Sequence, residues 1–132
     1  TDYGASYHGD TLYHTSYEFP DPKNKAGRLN KVVWTYRGKA KELPPSFNAP
    51  DQHTAYSVFM PFNKGVYYCN CVAKNAADLR CDIFYRPLDV PGATPLKLGI
   101  NLADYTSTSP AIGKNTKGET VLYFASDRPG GK

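Results

Sequence analysis

The sequence predicts an all-β protein built from repeated four-stranded antiparallel units. Three observations carry that expectation. The 132 residues include 11 Gly and 11 Pro, a density of chain breakers that suits many short strands and turns rather than long helices. The runs between those breakers are rich in β-branched and aromatic residues, 11 of them tyrosines, the side chains that fit a pleated surface. A motif also recurs along the chain, and internal repeats outrank local signals in setting a fold.

The motif is a turn glycine, an apolar residue, a tyrosine and a short β-prone tail. It is read at Gly9-Asp10-Thr11-Leu12-Tyr13-His14-Thr15-Ser16, at Lys64-Gly65-Val66-Tyr67-Tyr68-Cys69-Asn70-Cys71, and at Lys117 to Ser126. Aligned on Tyr13, Tyr68 and Tyr123, the step is 55 residues twice. Asn48 and Asn101 are 53 apart, as are Asp51 and Asp104, and Val33–Arg37 matches Ile83–Arg86 at about 50. Loops of unequal length between common strands explain the unequal offsets.

The middle unit is the most complete. Its first strand is expected near Tyr56–Met60, and a Pro-Phe-Asn-Lys-Gly turn leads to a second at Val66–Cys71. A polar loop over Val72–Arg80 precedes a third strand at Asp82–Arg86, and a fourth lies near Leu96–Leu98. In the first unit Phe19–Asn30, rich in Pro, Lys and Asn, reads as a long solvated loop. Four short strands at this period are the unit of a β-propeller blade. The chain therefore divides into a divergent blade over residues 1–52, a blade over 53–105, and the start of a third, truncated, over 106–132. About two and a half blades form a partial β-propeller, since closure takes four to eight. Thr1 in place of an initiator Met and the turn-like Arg-Pro-Gly-Gly-Lys end agree with a fragment of a larger propeller.

Composition excludes some functions. With 16 Lys and Arg against 12 Asp and Glu the net charge is +4, and no basic stripe interleaves with aromatics, so nucleic acid is not an expected partner. The longest apolar run, Val121–Ala125, is far short of the roughly 20 residues a membrane helix needs. Gly-x-Ser-x-Gly, His-Glu-x-x-His and Walker A signatures are absent. His14 beside Thr15-Ser16, or His53 near Asp51, makes no convincing triad. No catalytic, cofactor or metal residue is assigned, and an enzyme is not expected.

Cys69, Cys71 and Cys81 fall within thirteen residues. Cys71 and Cys81, near the turn of a hairpin, are candidates for a cross-strand disulfide, which would suit an oxidising compartment. Plain packing and a metal site are the alternatives, the latter lacking a fourth ligand. Asp51 and Asp104 recur at one repeat position, where a turn-fixing role outranks calcium or carbohydrate contact. The recurring tyrosines suit packing between units. Tyr3, Tyr7, Tyr17 and Tyr105 lie in turn-rich stretches and, with Arg128, are the candidate partner contacts, Tyr and Arg being frequent at interface hot spots.

The third unit, Ser109-Pro110-Ala111-Ile112 with Lys117-Gly118-Glu119-Thr120-Val121-Leu122-Tyr123-Phe124-Ala125-Ser126-Asp127-Arg128-Pro129-Gly130-Gly131, resembles the PD40 (WD40-like, TolB-type) propeller repeat. Asp82-Ile83-Phe84-Tyr85 is similar to a later strand of that repeat, and Pro95–Asn101 to its inter-blade segment. The wording is most like that of Bacteroidetes OmpA-family envelope proteins. The resemblance implies a non-catalytic scaffold in a periplasmic, outer membrane-associated complex, with other envelope proteins as partners. It also implies links to type IX secretion, gliding or peptidoglycan anchoring, the last through domains outside this chain. A glycan-binding propeller and the propeller part of a larger hydrolase are the rival readings.

Overall fold

A computed structural model describes residues 1–75 and 78–130. Ala76 and Ala77, within the loop expected over 72–80, lie outside the described residues, as do Gly131 of the Pro-Gly-Gly turn and Lys132. The fold is all-β, with one short 3-10 turn at Pro61–Asn63 and no α-helix among the described residues.

Among the described residues ten strands form three antiparallel sheets, each in chain order. Sheet 1 holds β1 (Asp2–His8), β2 (Thr11–Asp21), β3 (Asn24–Tyr36) and β4 (Lys39–Glu42). Sheet 2 holds β5 (His53–Phe59), β6 (Gly65–Asn75), β7 (Asp78–Pro87) and β8 (Leu96–Lys97). Sheet 3 is the pair β9 (Ser107–Lys114) and β10 (Thr120–Ser126). Two stretches expected as loops are instead strand. Within 19–30 the chain forms the far end of the β2–β3 ribbon, and residues 72–75 and 78–80 form that of β6–β7. Apart from the buried Leu29 and Asn30, these ribbon ends are largely exposed, so little buried face imposes an apolar alternation on them, and the sequence reads as polar loop.

The sheets stack in order: β5 lies against β1, β2 and β3, and β9 against β5, β6 and β7. Between sheets 1 and 2 a core forms from Val32, Phe47, Val66 and Tyr68, with Tyr13, Phe59 and Phe84 packed around it. Between sheets 2 and 3 a second core holds Cys69, Cys71, Cys81 and Ile83, flanked by Tyr67, Leu98 and Phe124. Alternation along each strand sends one face forward to the next sheet and the other back to the previous one.

The register shows how closely the units correspond. In β1, β5 and β9 one extra residue interrupts the ladder, between Tyr3 and Ser6, Ala55 and Val58, and Thr108 and Ala111. A residue in each of these β-bulges takes a left-handed backbone: Gly4 (φ 62°), Tyr56 (φ 51°) and Ser109 (φ 52°). Such a conformation is uncommon for a tyrosine or serine, so its repetition marks one structural station. Counting from the bulges sets Thr15, Cys69 and Ala125 at equivalent positions, and likewise Tyr13, Tyr67 and Tyr123. The expected alignment on Tyr68 is therefore one residue out. Tyr68 belongs on the opposite face, where it is buried against Phe47 with ring centroids 4.5 Å apart. The two aromatic neighbours Tyr67-Tyr68 and the differing hairpin turns conceal the slip, since a shift of one residue exchanges the faces.

Candidate functional site

The expected contact residues separate on folding. Tyr3 and Tyr7 lie in β1 and Tyr17 in β2, rather than in turns, while Tyr105 is half-buried ahead of β9. Arg128 is committed internally. Its Nη2 donates to the Ile100 carbonyl (2.8 Å) and to Ser107 Oγ (2.9 Å), its Nε donates to Ser126 Oγ (2.9 Å), and the guanidinium lies over the Phe124 ring. Asp127 Oδ1 accepts the Thr106 backbone N–H at 2.7 Å. Together these two residues hold the end of sheet 3 to the connection leaving sheet 2.

Cys71 and Cys81 face one another in the β6–β7 register and are joined as a disulfide. Cys69 stays a free, buried thiol, its Sγ 3.8 Å from Thr108 Oγ1. Burial pushes that thiol up to about 11, which keeps it protonated and unreactive near neutrality. Among the described residues no group of His, Cys, Asp or Glu is arranged to hold a metal ion. Asp51 pairs with Lys23 Nζ at 2.7 Å on the surface, and Asp104 is exposed in a turn.

Tyr3 and Tyr17 do come together. Both line a cavity of about 580 Å³ at the end of the molecule where the β2–β3 and β6–β7 ribbons project. Asp21, Arg28 and Asn30 come from the first ribbon and Asp78 from the second, while His53 opens β5 at the inner wall. The volume is that of an ordinary ligand pocket. Long ribbons make this site, and their reading as solvated loop hid it from the sequence.

The inner wall is fixed by polar contacts between sheets. Asn30 in β3 donates its backbone N–H to His53 Nδ1 (3.1 Å), and its Nδ2 lies at the same distance from that nitrogen. The neutral ring thus carries its proton on Nε2. Next to Asn30, the buried Lys31 Nζ donates to the carbonyls of Ala49 and Gln52, the latter at 2.8 Å. Burial, then the Lys31 charge, lowers the His53 pKa, and the Asp21 carboxylate opposes them. Burial likewise lowers that of Lys31 itself. Tyr3 meets the Tyr56 ring edge-on, centroids 5.2 Å apart, and burial pushes its hydroxyl up to about 12. It remains a neutral donor and acceptor.

The opposite end is different in character. Here the end of β1 and the segments that follow β5 and β7 expose apolar side chains: Tyr7 is 76% exposed, Phe62 90% and Val90 55%. Between sheets 1 and 2 at this end a groove of about 290 Å³ is lined by Leu43, Phe47, Phe59 and Leu88, with Arg86 at its edge. Arg86 Nη1 donates to the Ser46 carbonyl at 2.6 Å. One end is therefore a polar, concave pocket and the other an apolar rim. No protein-family model matches this chain, and no curated protein or solved structure matches it significantly.

Proposed function

We propose that the chain is part of a β-propeller that serves as a non-catalytic protein-contact module, in line with the PD40 resemblance of its third unit. The observation that carries the propeller reading is that neighbouring sheets meet twice at the same station, the β-bulge of the first strand. The Tyr56 backbone N–H, at the bulge of β5, donates to Thr15 Oγ1 at 2.9 Å. At the equivalent station Cys69 Sγ lies 3.8 Å from Oγ1 of Thr108, the residue just before the bulge residue Ser109 of β9. Contact between neighbouring sheets at a repeated station is what radial stacking of blades requires.

The contact reading rests on the apolar rim. Exposed aromatic side chains grouped at one end are the kind of surface that a partner covers, and Tyr7 is one of the candidates read from the sequence. By the same resemblance, the setting proposed is the periplasmic face of a bacterial outer membrane, among other envelope proteins. The Cys71–Cys81 bridge suits such an oxidising compartment.

Site-specific photo-crosslinking in the native envelope tests the proposal. A benzophenone side chain at Tyr7 or Phe62 should give discrete adducts with envelope proteins, while one at the exposed Lys25, at the opposite end on β3, should not. Equal yields at all three positions, or none at Tyr7 and Phe62, would remove the rim as a contact surface. A structure of the intact parent protein in which sheets 1 to 3 do not surround a common axis would remove the propeller.

A further inference from the structure

The pocket between the ribbons has a chemistry that the contact reading leaves unused, and it stands independently of the apolar rim. Tyr17 is 45% exposed, so much of its side chain is free to cover a ligand placed in the cavity it lines. Around it stand groups of both hydrogen-bonding senses: the Asp21 and Asp78 carboxylates accept, the Arg28 guanidinium donates, and the Tyr3 and Tyr17 hydroxyls do either. Of these, Asp21 Oδ1 already accepts the Lys23 N–H (2.8 Å) and Arg28 Nη1 donates to the Gly27 carbonyl (3.0 Å), which fixes both side chains and leaves the other oxygen and nitrogens for a ligand.

The charges decide the ligand class. An anion would meet two carboxylates and a cation the guanidinium. A neutral ligand carrying many hydroxyls satisfies all of them, since each hydroxyl donates to a carboxylate and accepts from arginine, while C–H faces of a ring pack on tyrosine. We infer that this pocket is a binding site for a neutral saccharide, with Tyr17 as its platform and Asp21, Arg28 and Asp78 as its hydroxyl contacts.

Isothermal titration of the whole chain with cellobiose, maltose and N,N′-diacetylchitobiose, paired with saturation-transfer NMR, tests this. At least one of these probes should bind with a dissociation constant of about 1 mM or tighter, and added salt should not change it, because the ligand is uncharged. Tyr17→Ala and Arg28→Ala should each weaken binding by about tenfold or more, and Tyr17→Phe should retain it. Both positions are exposed, so thermal melts of the variants should match the parent. No binding by any of the three at about 10 mM overturns the inference. So does binding that survives both substitutions, which places it elsewhere. Salt-sensitive binding confined to a charged probe, inorganic phosphate or glucuronate, overturns the neutral-ligand assignment, whereas a silent apolar rim in the crosslinking test leaves the pocket unaffected.

Discussion

Sheets 1 and 2 share a backbone plan down to single hydrogen bonds, yet they fill it with different chemistry. In sheet 1, Asn48 Oδ1 accepts the Val32 N–H (3.0 Å) while its Nδ2 donates to the carbonyls of Val32 (2.8 Å) and Leu43 (3.3 Å). In sheet 2, Asn101 makes the same three bonds, to Ile83 N–H (2.8 Å), Ile83 O (2.8 Å) and Leu98 O (2.9 Å). One residue earlier in the third strand the two sheets part. Lys31 is 3% exposed and ties sheet 1 to its outgoing connection. Its counterpart Asp82 stays within sheet 2, 2.7 Å from Lys97 and 3.4 Å from Arg80. Sheet 2 has a disulfide across β6–β7, and sheet 1 has no thiol at all. Polar latches to the backbone thus set the repeated frame, and the side chains between them vary with what each sheet must hold.

Breaking the latches should give the largest effect. Asn48 is fully buried, so Asn48→Ala leaves the Val32 N–H without a partner where water cannot reach. A loss of about 3 kcal/mol in urea unfolding is expected, from the desolvation cost of orphaned backbone groups. Asn101 is half-buried, and solvent can replace part of its bonding, so Asn101→Ala should cost less, about 2 kcal/mol. If the order reverses, burial is not what distinguishes the two sheets.

The latches also explain which parts of the fold were readable. Asn48 and Asn101 could be matched 53 residues apart because an asparagine that bonds both polar groups of one residue admits few substitutes. The third strands matched less precisely, since Val32, rather than Val33, is the partner of Ile83. Tyr67 and Tyr68 posed a harder problem: both are aromatic, and only the bulge at Tyr56 shows which one faces forward. A left-handed tyrosine leaves no compositional signal. The pocket was half legible. Tyr3 and Tyr17 stood out as tyrosines in stretches read as turn-rich, though both lie in strands, but Asp21, Arg28 and Asp78 belonged to segments whose polarity masked extended ribbon. Arg128 misled because its neighbours Pro and Gly suggested an exposed rim, while its guanidinium has three acceptors and a ring within reach.

The bridge sharpens the contrast next. Cys71→Ala/Cys81→Ala opens a loop of ten residues, and the chain-entropy relation for that length gives a loss of about 2.7 kcal/mol. Dithiothreitol should lower the urea midpoint of the parent by a similar amount and leave the double variant unchanged. Amide exchange should quicken first in β6 and β7. Equal quickening in β2 and β3 would mean that the sheets open as one unit and that the bridge does not act locally.

Acid should test sheet 1 in turn, through His53. Its pKa is lowered in the fold, chiefly by burial, whereas the unfolded chain takes up its proton near about 6.5. Between that value and the lower native one the unfolded state binds more protons, so stability falls as the pH falls and levels off below the native pKa. Protonation also turns Nδ1 from acceptor to donor and breaks the bond from the Asn30 N–H. His53→Gln should flatten this part of a stability-against-pH curve. A slope unaltered in the variant would assign the acid response to the carboxylates instead.

The smallest effect belongs to an ion pair that joins the β2–β3 ribbon to the connection after sheet 1. Lys23 Nζ and Asp51 Oδ2 are 2.7 Å apart, and the pair raises the lysine pKa and lowers that of the aspartate. Both side chains are open to water, however, at 71% and 40% exposure. Water and salt screen such a pair, and ordering two flexible side chains offsets most of the attraction. Lys23→Gln should therefore leave the thermal midpoint within experimental error, in low salt and high salt alike. A clear drop that salt abolishes would show that the ribbon is held in place electrostatically. The polar contacts of Asn30 and Lys31 would then be insufficient, by themselves, to set the wall of the pocket.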